Sequence, residues 1–264
     1  MVSGSEFLQE NLYLMAQAMI RKFLEKDRII EQNLMAQLEA DILNAESKSY
    51  VKSAINNIER PLVVVIAGPN GSGKISFTTE FLNHKWSRNS LYINPDEIAQ
   101  HQFGDWNSME AVLKSAALAQ QMREDLLAKR RNFIFETVLA SEEKVDFLRR
   151  CYETGYFIHL FFIATQSPAI NAFRVAQRVM KGGHDVPINK IISRYTKSIR
   201  NLAAIISWVD RAYIYDNSLN YEPLQSLYRL CQGQITNVYA ESLPDWAFMI
   251  KKKIERVDFK VKSV

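Results

Sequence analysis

The sequence predicts a doubly wound α/β fold, with a mostly parallel sheet of five strands and an N-terminal helical appendage. Three observations in the 264 residues predict it. A continuous run of β-branched residues, typical of a buried parallel strand, begins directly after Pro61. A glycine-rich turn joins this strand to a helix, and farther along apolar strands alternate with helical stretches. We therefore expect a helical segment over residues 1–60 and the α/β domain over residues 61–264.

The first 60 residues are predicted to be helical. They contain no Pro and a single Gly, and apolar residues such as Leu12, Met15, Met19 and Phe23 recur at helical spacing. This pattern indicates two or three amphipathic helices. Two interpretations stay open: the helices pack against the α/β domain, or they form a regulatory or partner-binding appendage.

Beyond residue 60, strands and helices are assigned by their hydrophobic period and by the turn residues between them. The five strands are expected at 62–67, 90–93, 132–136, 156–164 and 211–216. Helices are expected at 75–83, 109–129, 142–154 and 168–207, the last broken at Gly182-Gly183. A hairpin near 224–239 and a final helix from about residue 244 complete the chain.

The strongest signal for function is a turn of the form GxxxxGK between the first strand and the first helix of the α/β domain. Its glycines let the backbone curl until several N–H groups point at one anion, and the helix N-terminus adds a positive dipole. The lysine reaches the β- and γ-phosphates of a bound nucleotide. The turn therefore predicts binding of ATP, or alternatively of GTP, by residues Gly68, Pro69, Asn70, Gly71, Ser72, Gly73, Lys74, Ile75 and Ser76.

The residue after the lysine departs from the motif. A Ser or Thr at this position ligates Mg²⁺ in phosphoryl-transfer enzymes, but this chain has Ile75. Ser76 carries its hydroxyl one position later, about 100° around the helix, so it does not simply replace the missing group. Three explanations stay open: carboxylates and water alone hold Mg²⁺, Ile75 disables the protein, or the loop binds nucleotide without turnover.

Acidic residues follow the second and third strands, and loops at the carboxyl ends of parallel strands line the ligand crevice. Asp96 is placed to take a proton from an acceptor hydroxyl. Glu136 is placed to bind the acceptor or to order Mg²⁺, and Thr137 beside it is a candidate acceptor-binding residue. The carboxylates of Asp96 and Glu136 are candidate metal ligands. The alternatives are that Asp96 or Glu97 only caps the following helix and that Glu136 is a polar strand end.

A basic stretch crosses the predicted helix break. Arg174 and Arg178 are four residues apart and share a helix face, and an arginine is the usual stabiliser of a transferring phosphoryl group. The glycine pair offers a hinge for a lid. His184 beyond the pair and Arg194 on the next helix are candidate acceptor-binding residues. The alternative is a solvated basic helix.

Composition narrows the classes of partner. The formal net charge of +4 suits an anionic nucleotide, but no basic stripe with interleaved aromatic residues predicts nucleic-acid binding. The longest apolar runs, at 62–67 and 156–164, are far shorter than the ~20 residues of a membrane span. The two cysteines give neither a disulfide framework nor a zinc spacing, as expected in a reducing cytoplasm.

Taken together, these motifs resemble the zeta toxin family of P-loop kinases, and its GGH-bearing subgroup in particular. The resemblance covers roughly residues 62–218 and rests on GPNGSGK, NPDEIA, FET, RxxxRxxxGGHxVP and SRY. It implies a P-loop kinase-like fold in a cytoplasmic bacterial toxin that moves phosphate from ATP, with Mg²⁺, to a small nucleotide-linked acceptor. Several members phosphorylate UDP-N-acetylglucosamine. Control by an antitoxin protein, or by antitoxin-like N-terminal helices acting in cis, is also implied.

The family's pattern implies a role for each matching position of this chain. Lys74 would hold the ATP phosphates and Asp96 would be the general base. Glu136 would bind the acceptor or the metal, and Arg174 or Arg178 would stabilise the transferring phosphate.

Two departures from the better-known family members bear on the function. Ile75 lacks the hydroxyl, which leaves open a nucleotide-binding module without catalysis. His184 stands near the place where those members carry a second arginine, which leaves other acceptors open. NAD and, on the same fold, a polynucleotide are the alternatives to the sugar nucleotide.

Overall fold

The computed structural model describes residues 60–83, 87, 90–104, 108–219 and 223–261. In this part of the chain seven strands form one sheet, in the order β2-β3-β1-β4-β5-β6-β7. The strands are β1 (Leu62–Ala67), β2 (Leu91–Ile93), β3 (Phe133–Thr137), β4 (Phe157–Ala164), β5 (Arg211–Asp216), β6 (Gln225–Cys231) and β7 (Gln234–Val238). β1 to β5 pair in parallel, whereas β6 and β7 pair antiparallel.

Seven helices connect and cover these strands within the described residues. They are α1 (Lys74–Leu82), α2 (Pro95–Phe103), α3 (Met109–Ala128), α4 (Glu142–Glu153), α5 (Pro168–Met180), α6 (Ile188–Ile205) and α7 (Asp245–Val261). None of the helices in the described part of the chain is long and apolar enough to cross a membrane. The predicted helix over 168–207 is indeed two helices, because Gly182 adopts a left-handed φ of 80° just after α5 ends.

The mostly parallel α/β architecture is confirmed, but the prediction of five strands was too low. The hairpin expected near residues 224–239 exists as β6 and β7, and it extends the sheet because β6 pairs with the free edge of β5. The alternation of strands and helices along the sequence predicts parallel strands that are joined by crossover helices. It does not report where a terminal hairpin will dock, since that pairing depends on a sheet edge formed by distant residues.

The two faces of the sheet are built from alternate residues of the same strands. Val63 and Val65 of β1 belong to a large buried cluster together with residues of α4, α6 and α7. On the opposite face, Phe77 and Phe81 of α1 pack against Phe161 of β4, with ring centroids 5.1 Å apart in both pairs. Burial on both faces explains why β1 is a continuous apolar run.

β1 lies between β3 and β4, so the chain extends the sheet on one side of β1 first and on the other side afterwards. In open α/β sheets such a switch point leaves a crevice outside the carboxyl ends of the strands. The turn at residues 68–73 lies at the carboxyl end of β1 and leads into α1. The predicted division of the chain at residue 60 stays a prediction, because residues 1–59 lie outside the described residues.

Candidate active site

The turn between β1 and α1 has the backbone curl that its glycines predict. Gly71 and Gly73 have φ values of 76° and 92°, in the left-handed region that favours glycine. A Cβ at Gly71 would lie 2.6 Å from the backbone oxygen of Asn171, and one at Gly73 would lie 2.2 Å from Nδ2 of Asn217. Both positions therefore require glycine on two grounds, backbone conformation and the closeness of neighbouring groups.

Side chains from two other elements hold this loop. Nδ2 of Asn171, on α5, donates to the carbonyl of Asn70 at 2.5 Å. Nδ2 of Asn217, which follows β5, donates to the carbonyl of Ser72 at 2.8 Å. Sequence reasoning missed both asparagines. Asn217 lies in the YDNS stretch that closes β5, but no local pattern marks Asn171, because its partner is 101 residues away.

The lysine of the loop is buried. Lys74 is only 7% exposed, its Nζ donates to the carbonyl of Pro69 at 3.1 Å, and Oε1 of Glu136 lies 4.0 Å from it. Burial lowers the pKa of Lys74, and the negative charges of Glu136 and Asp96 oppose that shift. Because only one carboxylate of the described residues lies near the buried ammonium of Lys74, at 4.0 Å, the negative charge of a bound phosphate would stabilise it.

The loop fits a polyphosphate. Ser72 Oγ is buried without a hydrogen-bond partner among the described residues. No side chain caps the first turn of α1, so its N–H groups are available to an anion. The cleft above has a volume of about 340 Å³, within the size range of small-molecule sites.

A second acidic group, Glu136, lies at the end of β3. Thr78 Oγ1 donates to its Oε2 at 2.9 Å, and the Tyr92 hydroxyl lies 3.5 Å from the same oxygen. Burial raises the pKa of Glu136, and Lys74 opposes the shift. Glu136 is therefore a carboxylate poised between the lysine and the acidic side of the cleft, and not a solvated strand end.

Asp96 is the second residue of α2, and the cap of that helix is a different residue. Oδ1 of Asn94 accepts the N–H of Asp96 at 3.0 Å, which leaves the Asp96 carboxylate for the cleft. His184 Nδ1 lies 3.4 Å from Asp96 Oδ2, and the Asp96 side chain is 50% exposed. Burial raises the pKa of Asp96, but His184, Lys74 and Arg178 together lower it by more, so the carboxylate stays ionised at neutral pH.

The residues present also fit a divalent cation. The described residues contain no group of three or more His, Cys, Asp or Glu that could hold a metal by itself. Mg²⁺ in phosphoryl-transfer sites needs only one or two carboxylates, because phosphate oxygens and water complete its coordination. Asp96 and Glu136 both line the cleft and supply that number. Ile75 lines it too, and its side chain is 54% exposed without a hydroxyl to offer.

Three arginines reach the cleft or the loop in different ways. Arg174 donates to the carbonyls of Asn217 at 2.6 Å and Leu219 at 3.2 Å. Arg178 donates through Nε to the carbonyl of His184 at 3.0 Å, and one of its terminal nitrogens is buried without a hydrogen-bond partner in the described residues. Arg194 of α6 lies 3.4 Å from Oδ1 of Asn70.

The structure brings the predicted site residues to one place. Most of them line the cleft: Asn70, Gly71, Gly73, Lys74, Ile75, Ser76, Asp96, Glu136, Thr137, Arg174 and Arg178. Gly68, Pro69 and Ser72 form the part of the loop behind this surface. His184 and Arg194 reach the site through their contacts with Asp96 and Asn70.

A glycine-rich phosphate loop, a buried lysine and cleft-lining carboxylates on a parallel sheet define a nucleotide-binding protein of the P-loop kinase-like class. The family model for zeta toxins matches residues 46–222, and the chain belongs to the zeta toxin family. Membership in this family supports an ATP-dependent kinase of the toxin type.

Individual relatives are distant. An uncharacterized protein of Haemophilus influenzae is 25% identical over 135 residues, which cover 50% of this chain and 91% of that protein. A chain of the AvrRxo1-ORF1:ORF2 complex with ATP has a TM-score of 0.52 and 16% identity, covering 86% of this chain and 72% of its own length. A chain of the PezAT toxin-antitoxin system of Streptococcus pneumoniae has a TM-score of 0.47 and 15% identity, covering 75% and 87%. At these identities, the likeness to the AvrRxo1 chain shows the fold alone.

Proposed function

We propose that the protein transfers the γ-phosphate of ATP to a hydroxyl of a small nucleotide-linked metabolite, with UDP-N-acetylglucosamine as the acceptor, and acts as a bacterial toxin. One observation carries the proposal. One cleft is lined by the phosphate-loop lysine Lys74, by the ionised carboxylate of Asp96, and by Arg178, which has a terminal nitrogen without a hydrogen-bond partner in the described part of the chain.

Each group has a role in an in-line transfer. Lys74 and the loop N–H groups hold the β- and γ-phosphates, and Arg178 balances charge that spreads over the γ-oxygens. Asp96 accepts the acceptor's hydroxyl proton while that oxygen bonds to the γ-phosphorus and the bond to the β-phosphate oxygen breaks, releasing ADP. Mg²⁺, for which Asp96 and Glu136 are the available carboxylates, would neutralise phosphate charge when bound.

The proposal is tested with the full chain, labelled ATP, Mg²⁺ and UDP-N-acetylglucosamine. We expect transfer of label to the sugar nucleotide, and a fall of about 10²- to 10⁴-fold in kcat for Asp96→Asn, because the general base is lost. Glu97→Gln is the matched control, since it removes a carboxylate from the same helical turn outside the cleft lining. Equal activity of Asp96→Asn and wild type would remove the proposed base.

NAD is tested as a second acceptor in the same assay, because His184 leaves open which acceptor fits. That residue stands near the expected position of a second arginine, and it contacts Asp96, so it bears directly on which acceptor fits. Transfer to NAD and none to the sugar nucleotide would replace the proposed acceptor while leaving the reaction type intact. An oligonucleotide arm covers the polynucleotide alternative. Transfer to none of the three would favour a binding module disabled by Ile75.

We also propose that activity in the cell is held in check, either by an antitoxin protein or by residues 1–60 of the chain itself. Family membership supports the first, and the amphipathic pattern of the N-terminal segment supports the second. GTP is the alternative phosphate donor, since the loop motif recognises the phosphates that ATP and GTP share.

A further inference from the structure

We propose that Asn171 is a positioning residue that fixes the phosphate loop and the arginine-bearing helix α5 in one mutual geometry. The inference rests on the proposed phosphoryl transfer for its kinetic consequence, but its structural half can be tested without any reaction. Asn171 was not among the residues that the sequence predicts for the site.

The contacts of Asn171 join two parts of the site. Its side chain is completely buried, with 0% exposure, at the first turn of α5. Nδ2 donates to the carbonyl of Asn70 in the loop, and Oδ1 accepts from the hydroxyl of Thr165. The carbonyl of Thr165 in turn accepts the hydroxyl of Tyr195 on α6, at 2.6 Å. The amide therefore ties the loop to α5, and through Thr165 to α6.

The backbone of α5 also touches the loop at this point. A Cβ on Gly71 would lie 2.6 Å from the backbone oxygen of Asn171 and 3.1 Å from its Cα. The backbone of Asn171 therefore packs against Gly71, and its side chain binds the neighbouring loop residue, Asn70. A shift of the helix would move the loop carbonyl and the N–H groups beside it.

The same helix carries both cleft arginines. Arg174 and Arg178 follow Asn171 by three and seven residues, so all three lie on one face of α5. Fixing the start of the helix against the loop therefore sets where both guanidinium groups stand relative to a bound phosphate. A misplacement of about 1 Å is enough to cost a large part of the rate in such sites.

An amide is suited to this position because it donates and accepts at once. Alanine would leave the Asn70 carbonyl without its donor, and the Thr165 hydroxyl would keep only its hydrogen bond to the carbonyl of Ser167, at 3.0 Å. Aspartate would keep the acceptor for Thr165 but would set a carboxylate oxygen against the carbonyl of Asn70.

The experiment compares Asn171→Ala with Asn201→Ala in the full chain. Asn201 is a matched control, because it is a buried asparagine on α6 whose Nδ2 also donates to a backbone carbonyl, that of Leu139, at 3.0 Å. Both variants lose a comparable interaction, so we expect similar falls in melting temperature. Only Asn171→Ala is expected to speed hydrogen exchange of the loop amides at residues 70–74, by about tenfold or more.

ATP binding is then measured at a temperature below the melting temperature of both variants. We expect ATP affinity, measured by calorimetry with Mg²⁺, to fall about ten- to a hundredfold in Asn171→Ala and to stay near wild type in Asn201→Ala. Equal effects of the two variants on loop exchange and on ATP affinity would overturn the positioning role. If wild type binds ATP but transfers no phosphate, the proposed function fails while the exchange comparison still decides this inference.

A second pair of variants covers the case in which Asn171→Ala does not fold. Thr165→Val keeps the shape of Thr165 but removes the hydroxyl that holds Oδ1 of Asn171, whereas Thr165→Ser keeps that hydroxyl. We expect faster loop exchange and weaker ATP binding in the valine variant, and recovery in the serine variant. The same loss in both would contradict the proposal.

Discussion

The two halves of the cleft are built on different principles. The half expected to hold the donor is mostly backbone: a glycine loop that ends in Lys74 and whose carbonyls accept hydrogen bonds from Asn171 and Asn217. The half expected to hold the acceptor consists of side chains, with Asp96 beside His184 and Glu136 held by Thr78. Each of the latter groups comes from a different element of the fold.

This difference predicts different responses to mutation. A backbone site fails when a side chain forces the backbone out of its conformation. A side-chain site fails when one functional group is lost, while the chain around it stays folded. Arg178 stands between the two halves, because it donates to the carbonyl of His184 and lines the cleft beside the loop.

The largest effect is expected at this arginine. Arg178→Ala should lower kcat by about 10³-fold or more, because we expect the γ-phosphate to bind the terminal guanidinium nitrogen that has no hydrogen-bond partner among the described residues. Arg174→Ala is the comparison: its guanidinium is engaged by two backbone carbonyls, so we expect a smaller loss of kcat. Steady-state kinetics with saturating ATP separate the two. A greater loss in Arg174→Ala would reverse this assignment.

A smaller effect, confined to the donor half, is expected from Gly71→Ala. The new methyl group would meet the backbone of Asn171 at 2.6 Å, and alanine is strained at a φ of 76°. ATP affinity should fall about ten- to a hundredfold in calorimetry, as expected for a strain of a few kcal/mol.

Gly104→Ala separates the two causes. Gly104 has nearly the same φ, 72°, but a Cβ there would meet no atom of the described residues within 4 Å. It should therefore lose stability from the backbone alone, about 1–2 kcal/mol, and keep its ATP affinity. Equal losses of ATP affinity in both variants would mean that the donor half does not depend on the close fit between the loop and α5.

The same difference explains how much could be predicted from the sequence. The phosphate loop was predictable, because its geometry depends on a few consecutive residues and on the strand and helix around them. The two asparagines that hold it were not, since their partners are 101 and 145 residues away. Nothing in the local sequence distinguishes Asn171 from any other asparagine near the start of a helix.

The sequence indicated which residues lie in the acceptor half, but it did not indicate how they contact one another. Asp96 and Glu136 follow parallel strands, and the fold rule places such residues at one edge of the sheet. The rule did not indicate that Asn94, and not Asp96, caps α2, or that His184 would lie against Asp96. These contacts depend on side-chain rotamers and on the course of the segment between α5 and α6, which spacing along the chain does not report.

The smallest effect is expected from giving position 75, now Ile75, the hydroxyl that it lacks. Ile75→Thr restores a hydroxyl in the first turn of α1, and both residues are β-branched, so the helix should be little affected. Because a hydroxyl here would ligate Mg²⁺, ATP affinity with Mg²⁺ should rise by about tenfold, or about 1.4 kcal/mol, and affinity without Mg²⁺ should stay unchanged. Ser76→Ala controls for the neighbouring hydroxyl, and calorimetry with and without Mg²⁺ measures both. No change in Ile75→Thr would mean that Asp96 and Glu136 suffice for the cation, so that the acceptor half also completes the donor half.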